Sequence, residues 1–173
     1  MNDARVLIAV AVKWDDLFGL ARDGQIPYAG QLVFAANQDL ADQFGVELGE
    51  DTETAALQMA DVSGLVLGHA ERLVLVAEVP EPNGSPELPI GNCLAFFTGE
   101  LATAIDDAKG LCVDEAWDLP SVQKLLADQP LEWHDISELE AWLASQSDNH
   151  NDDEDDGADH LADADPLGLG ARP

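Results

Sequence analysis

The sequence predicts an α/β fold, or a mixed α+β one: a single sheet of about five strands with helices packed on it, followed by a disordered acidic tail. Three observations carry this reading. Apolar runs of strand length alternate with stretches of helical periodicity. Two of those runs, Arg5–Val12 and Arg72–Val79, are apolar almost throughout, the pattern of central strands covered on both faces. Beyond Ser145 the composition changes to nine acids and one base, with no Val, Ile, Phe or Trp. Such a segment buries too little apolar surface to offset the entropy of ordering. The expected organisation is a globular domain over 1–144 and a tail over 145–173. The alternation of strand and helix favours a mixed or mostly parallel sheet.

The elements follow in order. After the strand at Arg5–Val12, Leu17, Leu20 and Ala21 share a helical face, and Asp23-Gly24 ends that helix. Leu32–Ala36 reads as a second strand, and Asn37 as the N-cap of a helix through Phe44. Asp51 looks like the N-cap of the longest helix, Thr52–Leu67. Ala55, Met59, Val62 and Val66 form its buried stripe, and Thr54, Gln58 and Asp61 its outer side. Gly64 inside it costs about 1 kcal/mol relative to Ala, which predicts an early end to the last turn. Pro80 to Pro89 holds four prolines and Asn83-Gly84, the marks of a surface loop. Asn92–Thr98 and Gly110–Val113 read as further strands, with Leu101–Ala108 a short helix or turn between them. Ser121 reads as the cap of a helix to Ala127 that Pro130 breaks, and Leu131–Trp133 reads as a short extended segment. Asp135 opens the last helix, with Glu138 three residues on as in a capping box.

The chain of 173 residues carries 35 acids against 7 bases, a formal net charge of −28. Such a surface does not wrap duplex nucleic acid, because that binding needs Lys and Arg opposite phosphates. No apolar run reaches membrane-spanning length. The seven-residue run Val6–Val12 lies between Asp3 and Lys13 and reads as a buried strand, not a signal peptide, so a cytoplasmic location is expected. Cys93 and Cys112 lie nineteen residues apart without CxxC spacing and read as small core residues.

The common catalytic patterns are missing. The chain has no HExxH, no zinc-like Cys/His spacing, no GxSxG, no GxGxxG and no P-loop. His69 sits at a helix end beside Glu71, where a favourable helix-terminus charge would account for it. Asp152 to Gly157 can be laid on an EF-hand loop, but position eight is then Asp159 and position twelve is Asp163, not Glu. No catalytic, cofactor or metal-binding residue is therefore singled out.

Two groups of residues do stand out as partner-binding candidates. Trp14, Asp15 and Asp16 follow the first strand, where open α/β sheets place their sites. Asp114, Glu115, Trp117 and Asp118 put one large aromatic in an acidic stretch. Tryptophan is a favoured interface anchor, and surrounding acids steer basic partners.

Several short stretches carry a resemblance: the Arg5-Val6 opening, Asp23-Gly24-Gln25-Ile26, the alanine-rich Glu53–Leu67 helix, Val74 to Pro80, Val113 to Ala116, and Leu131 to Trp133. Together they resemble a family of small acidic proteins common in actinobacteria, which carries a domain-of-unknown-function label. The chain departs at Ala9-Val10, where a Pro-Ala-Thr-like step is expected. The resemblance implies no activity, substrate or catalytic residue. The expected function is a non-enzymatic one, capture of a basic protein partner. The alternatives are an inhibitor or immunity protein that mimics nucleic-acid charge, and a small enzyme with its site near the end of the first strand. A surface adapted to a high-salt cytoplasm would carry the same acidity without a partner.

Overall fold

The computed structural model of the protein describes residues 4–27, 31–80, 87–100 and 105–151. Contacts divide the chain into two units, Met1–Leu139 and Glu140–Pro173. The first is a mixed α+β unit. Its strands are β1 (Arg5–Ala11), β2 (Gln25–Pro27), β3 (Val33–Ala35), β4 (Arg72–Pro80), β5 (Glu87–Pro89), β6 (Cys93–Gly99) and β7 (Glu132–Asp135). Its helices are α1 (Trp14–Asp23), α2 (Gln38–Phe44), α3 (Glu50–Leu67), α4 (Val113–Trp117) and α5 (Pro120–Asp128). The chain continues into α6 (Leu139–Asn151).

Five strands form one sheet in the order β3-β1-β4-β6-β7, and β2 and β5 form a separate ribbon. Every pairing is antiparallel, which overturns the expectation of a mixed or mostly parallel sheet. The reason lies at the end of β1. After α3 the chain enters β4 beside the end of β1, where Ala11 pairs with Val74 and the Val12 amide donates to the Leu73 carbonyl at 3.0 Å, so the two strands run in opposite directions. A continuous apolar run reports burial on two faces; it does not report strand direction. Both central strands are indeed covered twice. Ala9, Val74 and Val76 pack against Leu40 of α2 and Ala55, Ala56 and Ala60 of α3. Ile8, Val10, Leu75 and Phe96, on the opposite face, are buried as well.

Several local expectations hold. The Asn37 side chain accepts the Leu40 amide at 3.0 Å and caps α2. The Asp135–Glu138 capping box is present, the Asp135 amide donating to the Glu138 carboxylate at 2.9 Å, and one 3-10 turn leads from it into α6. Others change. α3 begins one residue before Asp51, with Gly49 at φ 138° as its N-cap and Glu50, Asp51 and Glu53 in the first turn. It also runs past Gly64, which lies against Ala11: a Cβ there would meet the Ala11 Cβ at 3.4 Å. Pro120 occupies the first turn of α5 and Leu119 its N-cap position, so Ser121 lies inside the helix. The stretch read as a strand at Gly110–Val113 is a turn followed by α4. Val113, Ala116 and Trp117 there join one cluster with Val62 and Leu65 of α3, a helical i, i+3, i+4 spacing.

Asp61, expected on the outer side of α3, is buried. Its carboxylate accepts from Nε of Arg72 at 3.0 Å and from Nη2 at 2.5 Å, with both side chains almost wholly out of solvent. Arg72 Nη1 donates to the Gln129 carbonyl at 2.9 Å, so one guanidinium joins α3, β4 and the end of α5. The other buried polar groups of α3 are satisfied locally. Thr52 Oγ1 donates to the Glu47 carbonyl at 2.7 Å and Ser63 Oγ to the Ala60 carbonyl at 2.6 Å. Cys93 is buried as expected, whereas Cys112, read as core, is exposed ahead of α4.

In the second unit α6 continues through Asn151, so residues 145–151 of the expected tail are helical. The Ser145 and Ser147 hydroxyls donate to the carbonyls of Trp142 and Leu143. Residues 152–173, with the EF-hand-like string, lie outside the described residues, as do Pro82, Asn83, Gly84 and Pro86 and the first part of the expected Leu101–Ala108 helix.

Candidate functional site

Two concave regions of the first unit take up part of the predicted residues. The first is a groove of ≈ 340 Å³ between α2, α3 and α4, lined by Gln43, Phe44, Met59, Asp114, Trp117 and Asp118. Local sequence explains its walls. α4 is short and opens on Asp114 and Glu115, acids favoured in a first helical turn by the helix dipole. Its Ala116 is buried against α3 and α5, which sets the half-buried Trp117 at the rim of that core. There the indole meets Phe44 edge to face, with ring centroids 5.3 Å apart and planes at 76°. This is a preferred aromatic geometry, worth about 0.5–1.5 kcal/mol beyond the area buried. The Trp117 carbonyl accepts from Gln123 Nε2 at 2.7 Å, which ties α4 to α5.

Asp114 and Asp118 are exposed and flank the indole within this groove. Three ion pairs occur among the described residues, and neither Asp114 nor Asp118 belongs to one. Glu115, the fourth predicted residue here, does different work. Its carboxylate turns back to accept the Cys112 amide at 3.3 Å, the return half of a capping box. The structure thus brings together Asp114, Trp117 and Asp118 and assigns Glu115 to the helix end. Gln43, Phe44 and Met59 were missed, since Phe44 and Met59 read as ordinary core positions.

The second region is a cleft of ≈ 360 Å³ at the end of β1. Ala11, Lys13 and Asp16 reach it from β1 and the start of α1, and Ser63, Leu67 and His69 from the end of α3; Gln31 and Leu32 complete it. Of the first predicted group only Asp16 lies here. Its carboxylate accepts the Lys13 amide at 2.8 Å. Trp14 stacks on Phe18 at 5.8 Å, and Asp15 is exposed outside the cleft. The sequence pointed away from His69 as a cleft residue, because a helix-end charge accounts for a His at that position. Burial lowers its pKa from the ordinary 6.5, Lys13 lowers it further, and Asp16 opposes them. The imidazole is therefore neutral near pH 7, the reverse of the charged role expected of it. Its Nδ1 is buried without a hydrogen-bond partner.

No family model, no curated protein and no solved structure matches the chain. Among the described residues no group of three His, Cys, Asp or Glu could hold a metal ion, and no helix is long and apolar enough to cross a membrane.

Proposed function

We propose that the protein binds a basic, arginine-bearing segment of a partner protein in the groove of α2, α3 and α4. The observation that carries this is the half-buried Trp117 beside Asp114 and Asp118, two carboxylates outside the ion pairs of the described residues, in one groove with Phe44 and Met59. A guanidinium laid on the indole face gains a cation–π contact of about 0.5–2 kcal/mol. Its N–H groups then reach carboxylates on either side in charge-assisted hydrogen bonds. The apolar floor accepts the aliphatic stem of the same side chain. The net charge of −28 adds long-range attraction that speeds encounter and weakens with salt.

The test is binding of a fluorescent Arg-rich peptide to the full chain across a salt series. The wild-type protein should bind in a salt-dependent way, and Asp114→Asn/Asp118→Asn and Trp117→Phe should each weaken binding by about tenfold. Retention of full affinity by both variants would assign the attraction to diffuse surface charge and sink the proposal. Absence of binding at low salt would do the same.

A further inference from the structure

The cleft at the end of β1 holds two opposite charges that leave each other alone. Lys13 and Asp16 both line it, yet they form no ion pair within 4.0 Å. Elsewhere on this surface Arg22 pairs with Asp23 and Lys124 with Asp128. Lys13 is the N-cap of α1 and Asp16 its third residue, and Asp16 is held in place by the Lys13 amide. One carboxylate oxygen is engaged there, and among the described residues the other has no hydrogen-bond donor.

The remaining walls are of two kinds. Leu32 and Leu67 are 45% and 54% exposed, large aliphatic side chains left in water along the same cleft. His69 adds a neutral imidazole whose Nδ1 is turned inward, which leaves Nε2 for the cleft. Gln31 gives its amide N–H to the Pro27 carbonyl at 3.0 Å, so its carbonyl oxygen stays available as an acceptor. The volume of ≈ 360 Å³ suits a small guest; ligand sites run from about 300 to 1,000 Å³.

A cation, an anion and an aliphatic wall held apart on one concave surface match a molecule carrying the complementary three. We propose that this cleft binds a small zwitterion with an aliphatic substituent, in chemical class an α-amino acid. Its carboxylate meets Lys13, its ammonium meets Asp16, and its side chain covers Leu32 and Leu67. The site is independent of the groove at Trp117.

L-leucine is the probe, with acetate and isobutylamine as controls that carry one charge each. The full chain is titrated while the His69 ring resonances are followed by NMR. L-leucine should shift them saturably, with each control at least about tenfold weaker, since each forfeits one charge-assisted contact. Lys13→Met keeps the stem and removes the ammonium. Asp16→Asn keeps an oxygen to cap α1 and removes the charge, so the helix persists, as circular dichroism verifies. Each variant should weaken leucine binding about tenfold. A leucine titration with no saturable shift would overturn the proposal. So would acetate binding as tightly as leucine, or leucine affinity unchanged in both folded variants.

Discussion

Asp61 and Asp114 are both helical aspartates of the first unit, and the molecule treats them in opposite ways. Asp61 is buried, and the fold supplies its counter-charge from β4, with the guanidinium of Arg72 bonded in turn to a carbonyl at the end of α5. Asp114 stands in water beside Trp117, and with Asp118 it remains outside the ion pairs of the described residues. The asymmetry follows from solvation. A charge inside must have its partner built in, because losing several kcal/mol of hydration is tolerable only with a close counter-ion. A charge outside keeps its hydration and loses little by standing alone. Interior charge therefore fastens the fold together, and groove charge is left for something that arrives from outside.

Arg72→Met should break this contrast most visibly. It leaves Asp61 buried and unpaired, and should lower the free energy of unfolding in urea by about 3–5 kcal/mol. The double change Asp61→Leu/Arg72→Met should recover much of that loss. A single variant as stable as the wild type would show that the buried carboxylate finds other solvation.

The same inside-outside distinction applies to the thiols. Burial pushes Cys93 up to about 12, and its Sγ lies 3.5 Å from the Pro89 carbonyl. Iodoacetamide at about pH 8 should label the exposed Cys112 in the native protein and reach Cys93 only on unfolding, because the thiolate is the reactive form. Peptide mass mapping distinguishes the two.

His69 sharpens the comparison through pH. Its folded pKa lies below the ordinary 6.5, so between those values the unfolded chain binds more protons than the native one. Stability from this group is full above about pH 6.5 and falls as pH drops toward the folded value. Urea midpoints of wild type and His69→Gln should therefore converge on acidification. Parallel curves would rule out a buried neutral imidazole. The smallest effect should come from Asp114→Asn/Asp118→Asn, which should leave the thermal midpoint unchanged while peptide affinity drops.

Much of the sheet was legible in the sequence because its central strands are covered twice. Apolar runs at Arg5–Val12, Arg72–Val79 and Asn92–Thr98 fall within a residue or so of β1, β4 and β6. Helix ends with side-chain caps, at Asn37 and Asp135, were equally readable, since a cap is a local hydrogen bond. Strand direction was not, because it depends on where the chain returns after α3. Asp61 was misplaced for a related reason. Its polarity suggested a solvent face, and the side chain that permits burial comes from another element. Asp114, Trp117 and Asp118 could be picked out as acids around an aromatic. Phe44 and Met59, the floor beneath them, come from distant sequence and look like any core residue. Lys13 and His69 meet only because β1 and α3 end at one rim of the sheet.

That shared rim also has a consequence in time. Sixty-five residues separate Val10 from its neighbour Leu75, and the whole of α1 to α3 is synthesised in between. At about 5–20 residues per second, β1 leaves the ribosome several seconds before the strand that forms its longest ladder exists. Until then only the three-residue β3 can shield one of its edges. Ladders closed over such distances form slowly, so this nascent chain spends its early life with an apolar strand waiting for a companion.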